Sequence, residues 1–127
     1  MEFTLKTKIK ASAKAIYTSW LNSEGHTKMT GGDANISDQP GDHFTAWDGY
    51  IKGKNVTLEP YKRIIQSWRT SQFEDGEEDS QIEIVLKELD GITELKLIHT
   101  NVPESGDHYK TGWDTHYFKP MKTYFSK

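Results

Sequence analysis

Chemistry in this chain would have to come from its histidines, from an acidic stretch, or from polar side chains set among aromatic ones. The histidines are His26, His43, His99, His108 and His116. They form no HExxH motif and no i, i+4 pair. His108 and His116 could share a helical face, but no carboxylate is spaced to complete a ligand set, so no metal site is expected. Asp75, Glu77, Glu78 and Asp79 lack the glycine and terminal glutamate of a calcium loop and read as a solvated hairpin. Gly31-Gly32 follows a helix and does not open one, so it is no phosphate loop. The absence of cysteine excludes disulfides and thiol catalysis. No catalytic residue and no cofactor is assigned.

What remains is a group of inward-facing residues. His99 shares a strand face with Leu95 and Leu97, and Gln66 lies between Ile64 and Trp68. Two readings stand side by side. In one, these are core polar groups satisfied by hydroxyls or backbone, since an unpaired buried polar group costs ~1–3 kcal/mol. In the other, Gln66, Trp68, Leu86, Leu97, His99, Trp113 and Tyr117 line an apolar ligand cavity with a few orienting groups. Trp47, beside the Asp48-Gly49 turn, either covers a strand end or offers a partner contact.

The elements that position these residues follow from periodicity. Tyr109, Trp113, Tyr117 with Phe118, Met121 and Tyr124 recur at three- and four-residue spacing, which predicts a long helix over Gly106 to Phe125. Lys110, Asp114, Lys119, Lys122 and Lys127 fall mostly on its other side. Gly112 would allow close backbone approach there, and Pro120 should kink or loosen the last third. Upstream, Phe3, Leu5 and Ile9 alternate with Lys6, Lys8 and Lys10 in a first strand. Ser12 caps one short helix, and Asn22 or Ser23 caps a second that ends before Gly31-Gly32. Strands follow at Ala34–Ile36, His43–Trp47, Tyr50–Glu59 (with a bulge at Gly53), Arg63–Thr70, Gln81–Leu89 and Thr93–Asn101. Their turns are Gln39-Pro40-Gly41-Asp42, Asp48-Gly49, Pro60-Tyr61, the exposed acidic loop Phe73–Ser80 and Asp90-Gly91. This order predicts an α+β fold: a curved antiparallel sheet of six to seven strands, two short helices after the first strand, and a long C-terminal helix across the concave face.

The 127 residues fit one domain, 1–127. Sixteen cationic against nineteen acidic residues give a net charge of −3, with no long basic run, so neither nucleic acid nor membrane insertion is expected. No leader-like or bilayer-length apolar run appears, and a cytoplasmic monomer is the expectation.

The runs Phe44–Arg69, Thr93–Ser105 and Gly112–Phe125 carry a family resemblance. Asp48-Gly49, Pro60, Trp68-Arg69, Glu94-Leu95, Pro103, Gly112-Trp113 and Tyr117-Phe118 stand in the order and spacing of the C-terminal domain of activators of the heat-shock protein 90 ATPase. Thr30–Ala34 resembles the small bacterial members. The resemblance implies the helix-grip architecture of START-type lipid-binding domains, plant ligand-binding proteins and polyketide cyclases. The separate N-terminal domain of the eukaryotic activators has no counterpart in these residues. Three functions are carried forward: a non-catalytic protein binding a small hydrophobic ligand between helix and sheet, a module engaging a chaperone ATPase, and a cyclase- or hydrolase-like enzyme using His99 or His116.

Overall fold

The computed structural model describes residues 1–126, so Lys127 and its expected place on the helix lie outside the described residues. Period-two alternation produces six strands: β1 Phe3–Ile9, β2 His43–Ala46, β3 Ile51–Glu59, β4 Arg63–Thr70, β5 Ser80–Leu89 and β6 Ile92–Thr100. They form one antiparallel sheet in the order β1-β6-β5-β4-β3-β2. Two short helices, α1 Ala13–Trp20 and α2 Ser23–Thr30, lie between β1 and β2. Both start where side-chain oxygens can satisfy free amide donors. Ser12 Oγ accepts from the Ala15 N–H at 3.0 Å and Asn22 Oδ1 from the Gly25 N–H at 2.8 Å. Asp90 and Gly91 both take positive φ between paired Leu89 and Ile92, the two-residue turn that matches strand twist. Among the described residues no helix is long and apolar enough to cross a membrane.

The C-terminal helix runs over 104–125 in four parts: a 3₁₀ turn Glu104–His108, α3 Tyr109–Trp113, a π-helical turn Asp114–Phe118 and α4 Lys119–Phe125. The wide turn has a local cause. Pro120 brings no N–H, and its ring would press on the carbonyl of His116 four residues back. The Lys119 N–H instead reaches five residues back to the Asp114 carbonyl. The loosening expected from Pro120 is therefore a π-helical turn. Tyr109, Trp113, Tyr117, Phe118 and Met121 are all buried beneath the helix. The result is the helix-grip arrangement, with the helix across the concave face.

Four local expectations are corrected. Ala34–Ile36 is no strand: only Asn35 pairs, with Thr45. The neighbouring amides are taken by α2 instead, Ala34 N–H donating to Thr27 Oγ1 and Ile36 N–H to Ser23 Oγ. The β3 bulge falls between Asn55 and Thr57, whereas Gly53 is a close-packing site. A Cβ on Gly53 would stand 1.9 Å from the Ser67 carbonyl oxygen and 2.6 Å from the Phe44 ring. The acidic loop is exposed except at its ends. Phe73 is only 8% exposed and packs edge-on against Trp68, because an aromatic ring gains more from burial than the loop's polarity costs. Gly112 makes no close approach, since nothing lies within 4 Å of where its Cβ would be.

Candidate functional site

Beneath the C-terminal helix the aromatic residues form a continuous layer. Trp113 has Trp20 at 6.4 Å, Trp68 at 5.5 Å and Tyr117 at 4.8 Å between ring centroids. The polar atoms in this layer are paired in ways that fix their proton positions. Trp113 Nε1 can only donate, and it donates to His99 Nδ1 at 3.1 Å. His99 therefore carries its proton on Nε2, which faces Ser80 Oγ at 2.8 Å, and Ser80 Oγ donates to the Trp68 carbonyl. Burial holds the His99 pKa down at about 3. With both nitrogens engaged in the neutral form, His99 offers no free base.

A second buried histidine, His26, repeats the logic. Its Nδ1 meets the Trp20 carbonyl at 2.9 Å, which must accept, so Nε2 accepts from the Tyr117 hydroxyl at 2.9 Å. Burial lowers its pKa to about 4, partly opposed by the Trp20 carbonyl, and burial also raises that of Tyr117. Gln66 is likewise committed. Its Oε1 accepts from Trp20 Nε1 at 3.1 Å, and its Nε2 donates to Asn55 Oδ1 at 2.8 Å. Asn55 in turn donates to the carbonyls of Ser37 and Gln39.

Beside this packed layer a half-open cleft of about 530 Å³ separates the C-terminal helix from the β2–β3 hairpin. Trp68, Tyr109, Trp113 and Tyr117 line its floor, Trp47, Tyr50 and Ile51 line the hairpin side, and Gly112, Thr115 and His116 line the helix side. The Tyr109 hydroxyl is paired with Thr70 Oγ1, and burial pushes its pKa up to about 12. Trp47 is held unusually. Its φ of +51° is uncommon for a bulky residue, and its buried indole N–H meets no acceptor among the described residues. Its ring rests on Gly32, whose Cβ would stand 2.4 Å away, and faces His116 edge-on at 5.2 Å.

Of the seven residues expected to line a cavity, Trp68, Trp113 and Tyr117 border this cleft. Gln66, Leu86, Leu97 and His99 lie in the packed core, and Leu97 and His99 are fully buried. Trp47 is a cleft wall. The buried roles of His26 and Asn55 are not legible in the sequence, because Tyr117 lies 91 residues from His26 and Gln66 lies 11 from Asn55 on another strand. Tyr50 could have been suspected from its place beside the Asp48-Gly49 turn.

Comparison with known proteins is consistent with this geometry. A Dictyostelium discoideum protein described as an activator of 90 kDa heat shock protein ATPase homolog is 28% identical over 125 residues, covering 96% of this chain and 32% of that protein. The chain thus spans about a third of that curated relative's length. The crystal structure of an HSP90 activator from Plasmodium falciparum superposes with a TM-score of 0.88 at 17% identity, covering 97% of this chain and 94% of the other. The solution structure of the Aha1 dimer from Colwellia psychrerythraea gives 0.82 at 20% identity, covering 98% and 96%. Over residues 10–126 the chain matches the family described as Activator of Hsp90 ATPase homolog 1-like protein, and it belongs to that family.

Proposed function

We propose that the protein is a non-catalytic binding protein that holds a small, largely apolar ligand in the cleft between the C-terminal helix and the β2–β3 hairpin. Gly112 is the observation that carries this. A glycine within a helix gives up ~1 kcal/mol relative to alanine, and packing does not require it, since a Cβ there meets nothing within 4 Å. Gly112 does line the cleft, and its effect is to keep that space open. The volume falls within the ~300–1,000 Å³ of small-molecule sites, and the aromatic walls suit a flat apolar molecule. Trp68, Trp113 and Tyr117 serve as walls. Gln66 and His99 act from behind by fixing the Trp20 and Trp113 indoles, and Leu86 and Leu97 fill the sheet side.

The test is titration with a panel of flavonoids, sterols and fatty acids, read by tryptophan fluorescence and by NMR shifts of Trp47, Trp113 and His116 together. Gly112→Leu should fold with an unchanged or higher melting temperature and lose binding. No saturable binding by any member, or full binding by Gly112→Leu, would overturn the proposal.

A second reading, engagement of a chaperone ATPase, is supported by family membership and by the descriptions of the Dictyostelium and Plasmodium relatives. It requires that the purified protein raise the ATP turnover of an Hsp90-class ATPase several-fold and saturably. Stimulation that survives Gly112→Leu would separate this activity from the cleft.

A further inference from the structure

The convex face of the sheet carries a charge pattern that the fold itself does not need. Strand registers place eight Lys or Arg side chains, spread over β1, β3, β4, β5 and β6, on outward positions against Glu59, Glu83 and Glu94. This surplus of five positive charges stands on a chain of net charge −3, which leaves a surplus of eight negative charges on the rest of the chain. The positive charge is also placed against stability. Lys6 stands directly across from Lys96, and like charges so paired are destabilising; Lys52 stands across from Arg69, whose guanidinium is paired with Asp79 at 2.8 Å. Among the described residues Lys6, Lys52, Lys54 and Lys96 make no ion pair.

Two further features shape this face. Half-buried Ile65, Val85 and Ile98 occupy its middle on neighbouring strands, with Glu83, ion-paired to Arg63, directly between Ile65 and Ile98. At the β2–β4 corner a shallow depression of about 460 Å³ is bordered by His43, Lys52, Lys54 and Ser67, and by Arg69 with its ion-pair partner Asp79 at 2.8 Å. We infer that the convex face is a docking surface for an acidic protein, one that presents carboxylates around apolar side chains. The cations steer and orient such a partner, the aliphatic side chains supply the apolar contact, and in the corner depression Lys52 and Lys54 meet a carboxylate, Arg69 being held by Asp79. A nucleic acid fits less well, because its phosphates gain nothing from the aliphatic patch.

The test uses the full chain and, as probe, a synthetic peptide of repeated Glu-Leu-Asp-Gly units, followed by two-dimensional NMR at low and high salt. The expected result is saturable shifts confined to the outward positions of the sheet, Val85 of β5 among them, that fade at high salt. The pairs K52E/K54E and K6Q/K96Q should each weaken binding about tenfold or more while the melting temperature stays level or rises. A fall in melting temperature in step with the lost binding would mark the lysines as structural and overturn the inference. So would tighter binding of a DNA duplex or of phosphatidylglycerol vesicles than of the peptide. Salt-sensitive self-association without peptide binding, or shifts confined to the cleft, would overturn it as well.

Discussion

Lowering the pH from 8 to 5 should cost this protein about 4 kcal/mol of stability, through His26 and His99 alone. Both are buried and neutral, with folded pKa values of about 4 and about 3, against about 6.5 in an unfolded chain. Above pH 6.5 both states are neutral and nothing is lost. As the pH falls below 6.5 the unfolded imidazoles take up protons that the folded ones refuse, so stability declines until the folded values are reached. At pH 5 each unfolded histidine is roughly 97% protonated, and the linkage relation gives about 2 kcal/mol per site. That figure hardly depends on the exact folded pKa, since both lie about a unit or more below pH 5. With an unfolding entropy of roughly 2 cal/mol/K per residue over 127 residues, the two together lower the melting temperature by about 15 °C. Urea denaturation followed by circular dichroism at several pH values between 8 and 5 measures this directly. The slope should approach about 2.7 kcal/mol per pH unit near pH 5, and His99→Gln, although less stable at pH 8, should show about half of it. A flat profile between pH 8 and 5, or an undiminished slope in His99→Gln, would refute the proton assignments and the hydrogen-bond logic behind them.

Other expectations follow from packing. Trp113 is 3% exposed, so Trp113→Ala should cost ~3–5 kcal/mol by chemical denaturation, and it also leaves His99 Nδ1 without its donor. Gly53→Ala forces a Cβ to 1.9 Å from a backbone oxygen and should prevent β2–β3 from pairing normally with β4; loss of native amide shifts in these strands checks this. Gly32→Ala should expel Trp47 from its seat, giving a red-shifted fluorescence component and a wider cleft while the sheet remains folded. An unshifted spectrum would mean that the Trp47 ring accommodates the methyl in place.

Much of this protein was determined by its sequence. Alternation alone put Ile64, Gln66 and Trp68 on the covered face of β4 and Leu95, Leu97 and His99 on that of β6, and all six are buried. The Ser12 and Asn22 caps, the Asp90-Gly91 turn and the aromatic stripe from Tyr109 to Met121 were equally legible, because each depends on neighbours within a few residues. Pro120 announced a disturbance in the helix, and the Asp114–Phe118 turn gave it its form. Tertiary structure decided which inward residues meet space and which meet other side chains. His99 on the sheet and Trp113 on the helix face each other, yet one is enclosed and the other borders a cleft, since the volume around each is filled by residues far away in the chain. The same holds for Gly112, where local rules suggested contact and the distance between helix and hairpin left room. The convex charge surplus lay in the sequence only as scattered lysines. Strand register gathered them onto one face, and register is set by the pairing of strands that the chain's order alone leaves apart.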